Sequence, residues 1–335
     1  MTSDPNNIIN IFLNTDNNYA VPAYVTLYSL MHNYRGEDHV HVYILTPGDL
    51  TPQNQSFLKT LSSKNPMLEI FIIDMRDAYE NVSMNLGFTC TILYRLMIPR
   101  ICEQLHLEID KCIYLDTDIV VEGDISELYG IDSDWEEYYC AGVRDPLPFT
   151  YPNHNDKLGI SSMDRYINAG VLLLNLKQIK DDDLKDSLEK AGYRSDFVYH
   201  DQDVINSVCY EGIKLIPLKF DVIPQIFFLH NSEICEFYGE ENVLEAKKAP
   251  LIIHYFGIFK PWSHRASYLA GHWWKYVRMQ DEKTMRVFIT PFIRSFKVPP
   301  STLAKDLLKS ALVYIGAYTL IKKARDIFVQ LSMIV

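Results

Sequence analysis

Six cysteines (Cys90, Cys102, Cys112, Cys140, Cys209 and Cys235) include no Cys-x-x-Cys pair and no partnered histidine spacing, which argues against a zinc site. Most stand in apolar runs, as small hydrophobes do in a reducing cytosol. Positive charge is also short: the formal net charge of −11 excludes a general nucleic-acid binder. Met1 to Asn10 carry no basic patch followed by an apolar core, so no signal peptide is expected. Without export, the sequons Asn54-Gln-Ser56 and Asn81-Val-Ser83 carry no weight. No internal repeat or low-complexity tract is present. At 335 residues and 48% hydrophobic, the chain can bury the core of one large domain, or of one domain with an appendage.

The informative stretch is Lys111-Cys-Ile-Tyr-Leu-Asp-Thr-Asp-Ile-Val-Val121. Cys112 to Leu115 has the character of a buried strand, and it ends on Asp116 and Asp118. Side chains alternate along an extended chain, so both acids project to one side if the strand geometry carries through Asp118. Delivering two carboxylates at the mouth of a buried strand costs solvation unless a cation sits there. A divalent metal holding a sugar-nucleotide diphosphate meets that need. Acids just past a strand also form turns. A calcium loop is excluded, since it would want an acid or amide at Val120 and glycine at Val121. The pattern also resembles the opening motif of haloacid-dehalogenase-like phosphohydrolases, with Asp116 as nucleophile and Asp118 as acid/base. The acidic set that such an enzyme needs downstream is not found.

Short β-type runs alternate with helical patterns: Ile8–Leu13, Val40–Leu45, Leu68–Ile73, Cys112–Leu115, Tyr139–Val143, Val171–Leu176, Ile213–Leu218 and Leu251–His254, with Ala20–Tyr34 and Gln53–Lys64 spaced as helices. This alternation predicts an α/β fold with a largely parallel sheet covered on both faces. Ligands collect at the carboxyl ends of such strands, where Asp116 and Asp118 lie. Two other strand ends are polar in the same way: Asn14-Thr-Asp16-Asn-Asn18-Tyr19, and His254-Tyr-Phe-Gly257-Ile-Phe-Lys260-Pro-Trp262. Ser232–Lys248 reads as an acidic, irregular surface excursion.

Five blocks in order, from about Ile8 to Trp262, resemble the retaining glycosyltransferases of family 8, which include bacterial lipopolysaccharide galactosyl- and glucosyltransferases and, more distantly, glycogenin. The resemblance implies a GT-A nucleotide-binding fold, a Rossmann-like mixed sheet covered by helices. It implies that Asn14, Asp16, Asn18 and Tyr19 hold the uracil and ribose of a UDP-sugar, although Asn-Asn-Tyr is also an ordinary helix-starting turn. Arg95, in Tyr94-Arg95-Leu96, would stand near the donor sugar and the acidic motif; a helix-face salt bridge is the alternative. Asp116 and Asp118 correspond to the metal motif with Thr117 between them, and His254 to the third ligand, a set that suits Mn²⁺ with Mg²⁺ a weaker substitute. Gly257 permits close backbone approach, and Lys260 puts a point charge near phosphate. Asn168 and Ala169 would contact the donor sugar, and Asp145 would face its hydroxyls. In His200-Asp201-Gln202-Asp203, Asp201 would bind donor hydroxyls and Gln202 would sit on the anomeric face opposite the leaving group. Both would be catalytic, Asp201 as a fallback nucleophile.

The implied enzyme is a metal-dependent hexosyltransferase that moves glucose or galactose from a UDP-sugar to a saccharide or glycolipid acceptor. The acceptor surface is expected in Pro146–Asp164 and Pro224–Lys248. The sheet pattern ends near Trp274, which divides the chain into a GT-A domain (1–274) and a helical, basic extension (275–335). From Arg294 onward there are seven Lys/Arg and two Asp/Glu, a net +5 that leaves −16 on the first 293 residues. Leu303, Leu307, Leu308, Ala311, Leu312, Ile315, Tyr318 and Leu320 recur at helical steps, bracketed by Lys305, Lys309, Lys322, Lys323 and Arg325. The apolar run Ser310–Ile321 falls short of the roughly 20 residues of a spanning helix. An amphipathic basic helix of this kind suits an anionic membrane surface, with packing on its own domain as the alternative. The expected location is the cytoplasm, attached peripherally to the inner face of a bacterial plasma membrane.

Overall fold

The computed structural model describes residues 8–79, 82, 84, 89–131, 135–147, 151, 153–229 and 231–315. Its centre is a seven-stranded sheet of β1 (Ile8–Asn14), β2 (His39–Thr46), β3 (Leu68–Asp74), β4 (Lys111–Leu115), β6 (Cys140–Arg144), β7 (Ile167–Asn175) and β8 (Ile213–Leu215), in the order β3-β2-β1-β4-β7-β6-β8. A two-stranded ribbon pairs β5 (Ile119–Val121) with β9 (Ile252–His254). β1, β2, β3 and β4 are parallel. β7 runs against both β4 and β6, so the sheet is mixed, largely parallel as expected but for this one strand. All nine residues of β7 are buried, Asn168 and Asn175 among them, and its apolar run is Val171–Leu174.

Alternation along each strand sorts the core into two layers. Ile11, Leu13, Ile113 and Leu115 face helices α1 (Ala20–Asn33) and α2 (Pro52–Lys64). Phe12, Cys112 and Tyr114 face the layer that holds the His200–Val208 helix residues Val204 and Ile205. α2 starts where Thr51 accepts from the Asn54 amide at 3.2 Å with Pro52 in the first turn.

Several boundaries differ from the sequence reading: β7 starts at Ile167 rather than Val171, and β5 is not among the expected runs. The run at Ile213 leaves the sheet after Leu215, and Leu218–Phe220 is a single 3₁₀ turn. Ser232–Lys248 is not irregular: it lies in two helices, Asn231–Tyr238 and Glu240–Lys248, which bury Ile234, Val243 and Ala246. The expected division at 274/275 passes through the helix Ala270–Arg278, and Tyr276, Val277, Phe288, Ile289 and Ile293 belong to the same core as the sheet. Apolar side chains therefore continue the domain to about Phe296.

A last described helix, Pro300–Tyr314, docks through Asp306, Ser310 and Val313. Ser310 Oγ donates to Ala266 O at 2.7 Å and Asp306 is buried, while Leu303, Leu307 and Leu308 are 40–63% exposed. Tyr318, Leu320, Lys322, Lys323 and Arg325 lie outside the described residues. Among the described residues no helix is long and apolar enough to cross a membrane.

Candidate active site

The chain passes from β1 outward to β2 and β3, then returns to place β4 on the other side of β1. That reversal opens a crevice at the strands' carboxyl ends. A cavity of about 420 Å³ lies there, lined among others by Asn14, Asp16, Tyr19, Arg95, Asp116, Thr117, Asp118, Asn168, Ala169, Asp201, Gln202, His254, Gly257 and Lys260.

Asp116 and Asp118 occupy the break between β4 and β5. The Asp116 amide donates to Gly170 O at 2.8 Å, and the Tyr255 amide donates to Asp118 O at 2.9 Å. Thr26 Oγ lies 2.9 Å from Thr117 O and 2.8 Å from Ile119 O. In the antiparallel ribbon Ile119 faces His254, which brings the imidazole beside the two acids. The remaining freedom of each ligand is then removed from behind. Asp116 Oδ1 accepts from Arg95 Nη2 and from the Tyr114 hydroxyl, both at 2.7 Å, leaving Oδ2 toward His254 Nε2 at 3.7 Å. Asp221, fully buried, accepts from His254 Nδ1 at 3.0 Å, which turns Nε2 toward Asp116 and Asp118.

These residues fit a divalent cation. One buried oxygen, Asp118 Oδ1, lies 3.3 Å from His254 Nε2 yet has no aligned hydrogen-bond donor. Two carboxylates and an imidazole, with ligand atoms all within 4.8 Å of one another, are a donor set for Mn²⁺ or a similar ion. Gly170 leaves room for them, since a Cβ there would press on the His254 ring and stand 3.0 Å from Asp116 Oδ2. The electrostatics agree. Burial alone would lower the His254 imidazole, but Asp221 and Asp118 outweigh it and raise it to about 10. Burial would raise Asp118, but Lys260 and His254 hold it well below the usual carboxylate range. The Lys260 ammonium is in contact with Asp118 Oδ2.

Arg95 is the hub between this wall and the next. Its guanidinium is 4% exposed, lies 4.3 Å over the Tyr114 ring, and joins Asp116 to Asp201, whose Oδ2 is 3.0 Å from Nε. Burial pushes the Asp201 carboxyl up to about 7 although Arg95 pulls it back. The salt bridge foreseen for Arg95 is thus made inside the cavity rather than on a helix face. Asn14 Nδ2 donates to Thr91 O at 2.8 Å while its buried Oδ1 has no partner. Asp16 caps the turn before α1 by accepting from the Tyr19 amide at 2.9 Å, so its turn-forming role and a lining role coexist.

Two expected site residues do not line the cavity. Asn18 is exposed beside Asp16. Asp145 stands behind the wall, where it accepts from Asn168 Nδ2 at 2.8 Å and from the Leu147 amide at 2.7 Å. Sequence reasoning missed Asp221, Tyr114, Gly170 and Thr26. Asp221 is 33 positions from His254, and only the contact of Val222 with Ile253 carries it there, so no spacing motif marks it.

The profile of Glycosyl transferase family 8 matches residues 10–266. The chain is 24% identical over 277 residues to a lipopolysaccharide 1,2-glucosyltransferase of Escherichia coli, covering 81% of this chain and 78% of the relative. It is 24% identical over 260 residues to general stress protein A of Bacillus subtilis strain 168, covering 76% and 88% respectively. Its fold superposes on galactosyltransferase LgtC solved with donor and acceptor sugar analogues (TM-score 0.63, 20% identity, 89% of this chain and 100% of that one). It also superposes on the WbbM bifunctional glycosyltransferase (TM-score 0.71, 21% identity, 86% and 52%). These two likenesses establish the GT-A fold.

Proposed function

From the premise that the chain belongs to glycosyl transferase family 8, we propose that it is a retaining hexosyltransferase. It would transfer glucose or galactose from a UDP-sugar to a glycan or lipid-linked acceptor with an α-linkage. Membership and relatives make it a glycosyltransferase with a sugar donor and a saccharide acceptor. The observation that carries the finer reading is the convergence of Asp116 Oδ2, Asp118 Oδ1 and His254 Nε2 beside Lys260, in a cavity that Gln202 also lines.

Asp116, Asp118 and His254 would hold Mn²⁺, or less well Mg²⁺, and a bound cation supplies Lewis-acid neutralisation of a diphosphate. Lys260 adds a fixed point charge for the same phosphate, stabilising charge as it develops. Asn14, through its open Oδ1, with Asp16 and Tyr19, suits the uracil and ribose; Asn18 supports Asp16 from outside. Thr117, Asn168, Ala169 and Gly257 bring backbone and amide groups to the donor, and Asp201 accepts from its hydroxyls. Asp145 acts at one remove, through Asn168.

Gln202 is an amide without charge and a weak nucleophile. Front-face attack by the acceptor hydroxyl is favoured, with the departing phosphate oxygen taking its proton. Asp201 is the weaker alternative nucleophile because its carboxylate is paired to Arg95. The phosphohydrolase reading of Asp116 gives way to family membership, and one oxygen of that carboxylate is already committed to Arg95 and Tyr114.

The helix Pro300–Tyr314 supports a second element of the reading, attachment to the anionic inner face of a bacterial plasma membrane. Asp306 and Ser310 turn inward and Leu303, Leu307 and Leu308 outward, with Lys305 exposed among them.

A panel of UDP-sugars with Mn²⁺ tests the reading, scored for UDP release and by proton NMR of an early product. UDP release with an α-anomer from an α-linked donor is expected. A β-linked product, or cleavage of an aryl phosphate in place of the UDP-sugar, would overturn it.

A further inference from the structure

Asp203, next to Gln202 on the His200–Val208 helix, is fully buried, and four donors converge on it. Oδ2 accepts from the Val198 and Tyr199 amides, both at 2.9 Å. Oδ1 accepts from the Tyr166 hydroxyl at 2.7 Å and lies 2.8 Å from His154 Nε2. A carboxylate with two oxygens has about four acceptor sites, so all of them are used. Asp203 is therefore neither accessible nor free to attack a substrate.

Its consequence is polarity. The Tyr166 proton points at Asp203, so the Tyr166 oxygen must act as acceptor toward Gln202 Nε2, 3.2 Å away. On the opposite side Gln202 Oε1 accepts from the Ala169 amide at 3.1 Å. Turning the amide over would set an oxygen against an oxygen at Tyr166 and a donor against a donor at Ala169. The chain of bonds begins at His154, in the Pro146–Asp164 stretch expected to face the acceptor; its imidazole is 4% exposed.

We propose that Asp203 is a positioning residue that fixes, through the Tyr166 hydroxyl, which end of the Gln202 amide faces Ala169 and the cavity, and that His154 ties this orientation to the acceptor-side segment. The proposal rests on the role given above to Gln202. Asparagine at 203 is the informative change because it keeps shape and reverses direction. If its oxygen keeps the Val198 and Tyr199 amides, its NH₂ must donate to Tyr166. The Tyr166 proton then turns to Gln202, which must flip to accept it. A purely structural role would not discriminate in this way.

The test is a double-mutant cycle on the full chain with UDP-glucose or UDP-galactose and Mn²⁺. Asp203→Asn should lower kcat roughly ten- to a hundredfold, the scale of a misdirected buried hydrogen-bonding group at a reacting centre. The donor KM and the Mn²⁺ affinity should stay within about twofold. In a Gln202→Ala background the same change should cost nothing further, because there is no amide left to turn. Tyr166→Phe, which breaks the relay without altering the carboxylate, should give a smaller kcat loss of the same kind and serves if Asp203→Asn does not fold. An Asp203→Asn penalty undiminished in Gln202→Ala, or a matching rise in donor KM, would overturn the proposal alone. Wild-type turnover by Gln202→Ala itself would remove the role of Gln202 and this inference with it.

Discussion

On the wall formed by Asp116, Asp118, Asp221 and His254, two buried carboxylate oxygens, Asp118 Oδ1 and Asp221 Oδ2, have no aligned hydrogen-bond donor, although His254 Nε2 lies 3.3 Å from the first. Across the cavity, none of the buried side-chain polar atoms of Asp145, Tyr166, Asn168, Gln202 or Asp203 is left without a partner. Both walls meet at one end of the seven-stranded sheet, the first extended by the β5–β9 ribbon, and β7 contributes to both through Gly170 on one side and Asn168 and Ala169 on the other. Buried polar groups without partners are costly, and a cation in the cavity would complete the one at Asp118. The satisfied wall is organised before anything binds. On the proposed reading the first wall would be completed by a cation, whereas the second would present a fixed orientation to a neutral sugar.

The comparison is broken most severely by removing a metal carboxylate. Asp118→Asn or Asp116→Asn should cut transfer by roughly a thousandfold or more, since an amide cannot replace a carboxylate at a divalent ion. Chelation of the wild type should do the same, reversed by Mn²⁺, with the melting temperature of the variants reporting an intact fold. Full transfer after exhaustive metal removal would sink the assignment of all three ligands.

Gly170→Ala attacks the strand common to both walls. The new methyl group presses on a buried imidazole that Asp221 holds in place, so a destabilisation of about 1–3 kcal/mol is expected. Loss of Mn²⁺ affinity should accompany it, seen by calorimetric titration. A variant as stable and as metal-competent as the parent would show that the ligand cradle has slack.

Asp221→Asn separates the walls. Weakening the partner behind a metal-binding histidine costs roughly ten- to a hundredfold in metal affinity, so the Mn²⁺ dissociation constant should rise by about that factor in a titration without donor. Turnover at saturating Mn²⁺ should change little, the reverse of the pattern expected for Asp203→Asn. Equal effects of the two variants on Mn²⁺ binding would mean that the walls are not independent.

The smallest expected effect lies outside both walls. Leu307→Glu with Leu308→Glu alters side chains that are 57% and 63% exposed, and surface changes of this kind usually stay within about 0.5 kcal/mol. UDP-sugar hydrolysis should be unchanged, while sedimentation with anionic vesicles at low salt should be lost. Unimpaired pelleting by the double variant would remove these leucines from the membrane reading.

Much of the site was legible because local sequence already carried its chemistry. The apolar run Cys112–Leu115 had to be a buried strand, and the acids after it had to stand at that strand's end. His254 could be placed at another strand end by the same logic, and the polar turn after β1 announced itself by Asp16 and Tyr19. The helical pair between Asn231 and Lys248 was missed because its charged positions outnumber its few apolar anchors, Ile234, Val243 and Ala246, and only docking on the domain makes those anchors count. The domain's continuation to about Phe296 was missed for a related reason. Tyr276 and Phe288 have no period that distinguishes a core helix from an appended one until they pack against Tyr24, Tyr28 and Phe57.

By itself the sequence determined the family, most of the strands and most of the groups that line the cavity, Asn18, Asp145 and Tyr114 excepted, since these follow from periodicity and from residue types a few positions apart. Tertiary structure alone decided how those groups are held. Asp221 behind His254, Tyr114 and Arg95 on one oxygen of Asp116, and Asp203 behind Gln202 through Tyr166 are contacts between elements distant in the chain. Their meaning lies in which lone pair faces which proton. Such directionality has no period and no fixed spacing along the chain, and it exists only once the sheet has brought the donors and acceptors into register.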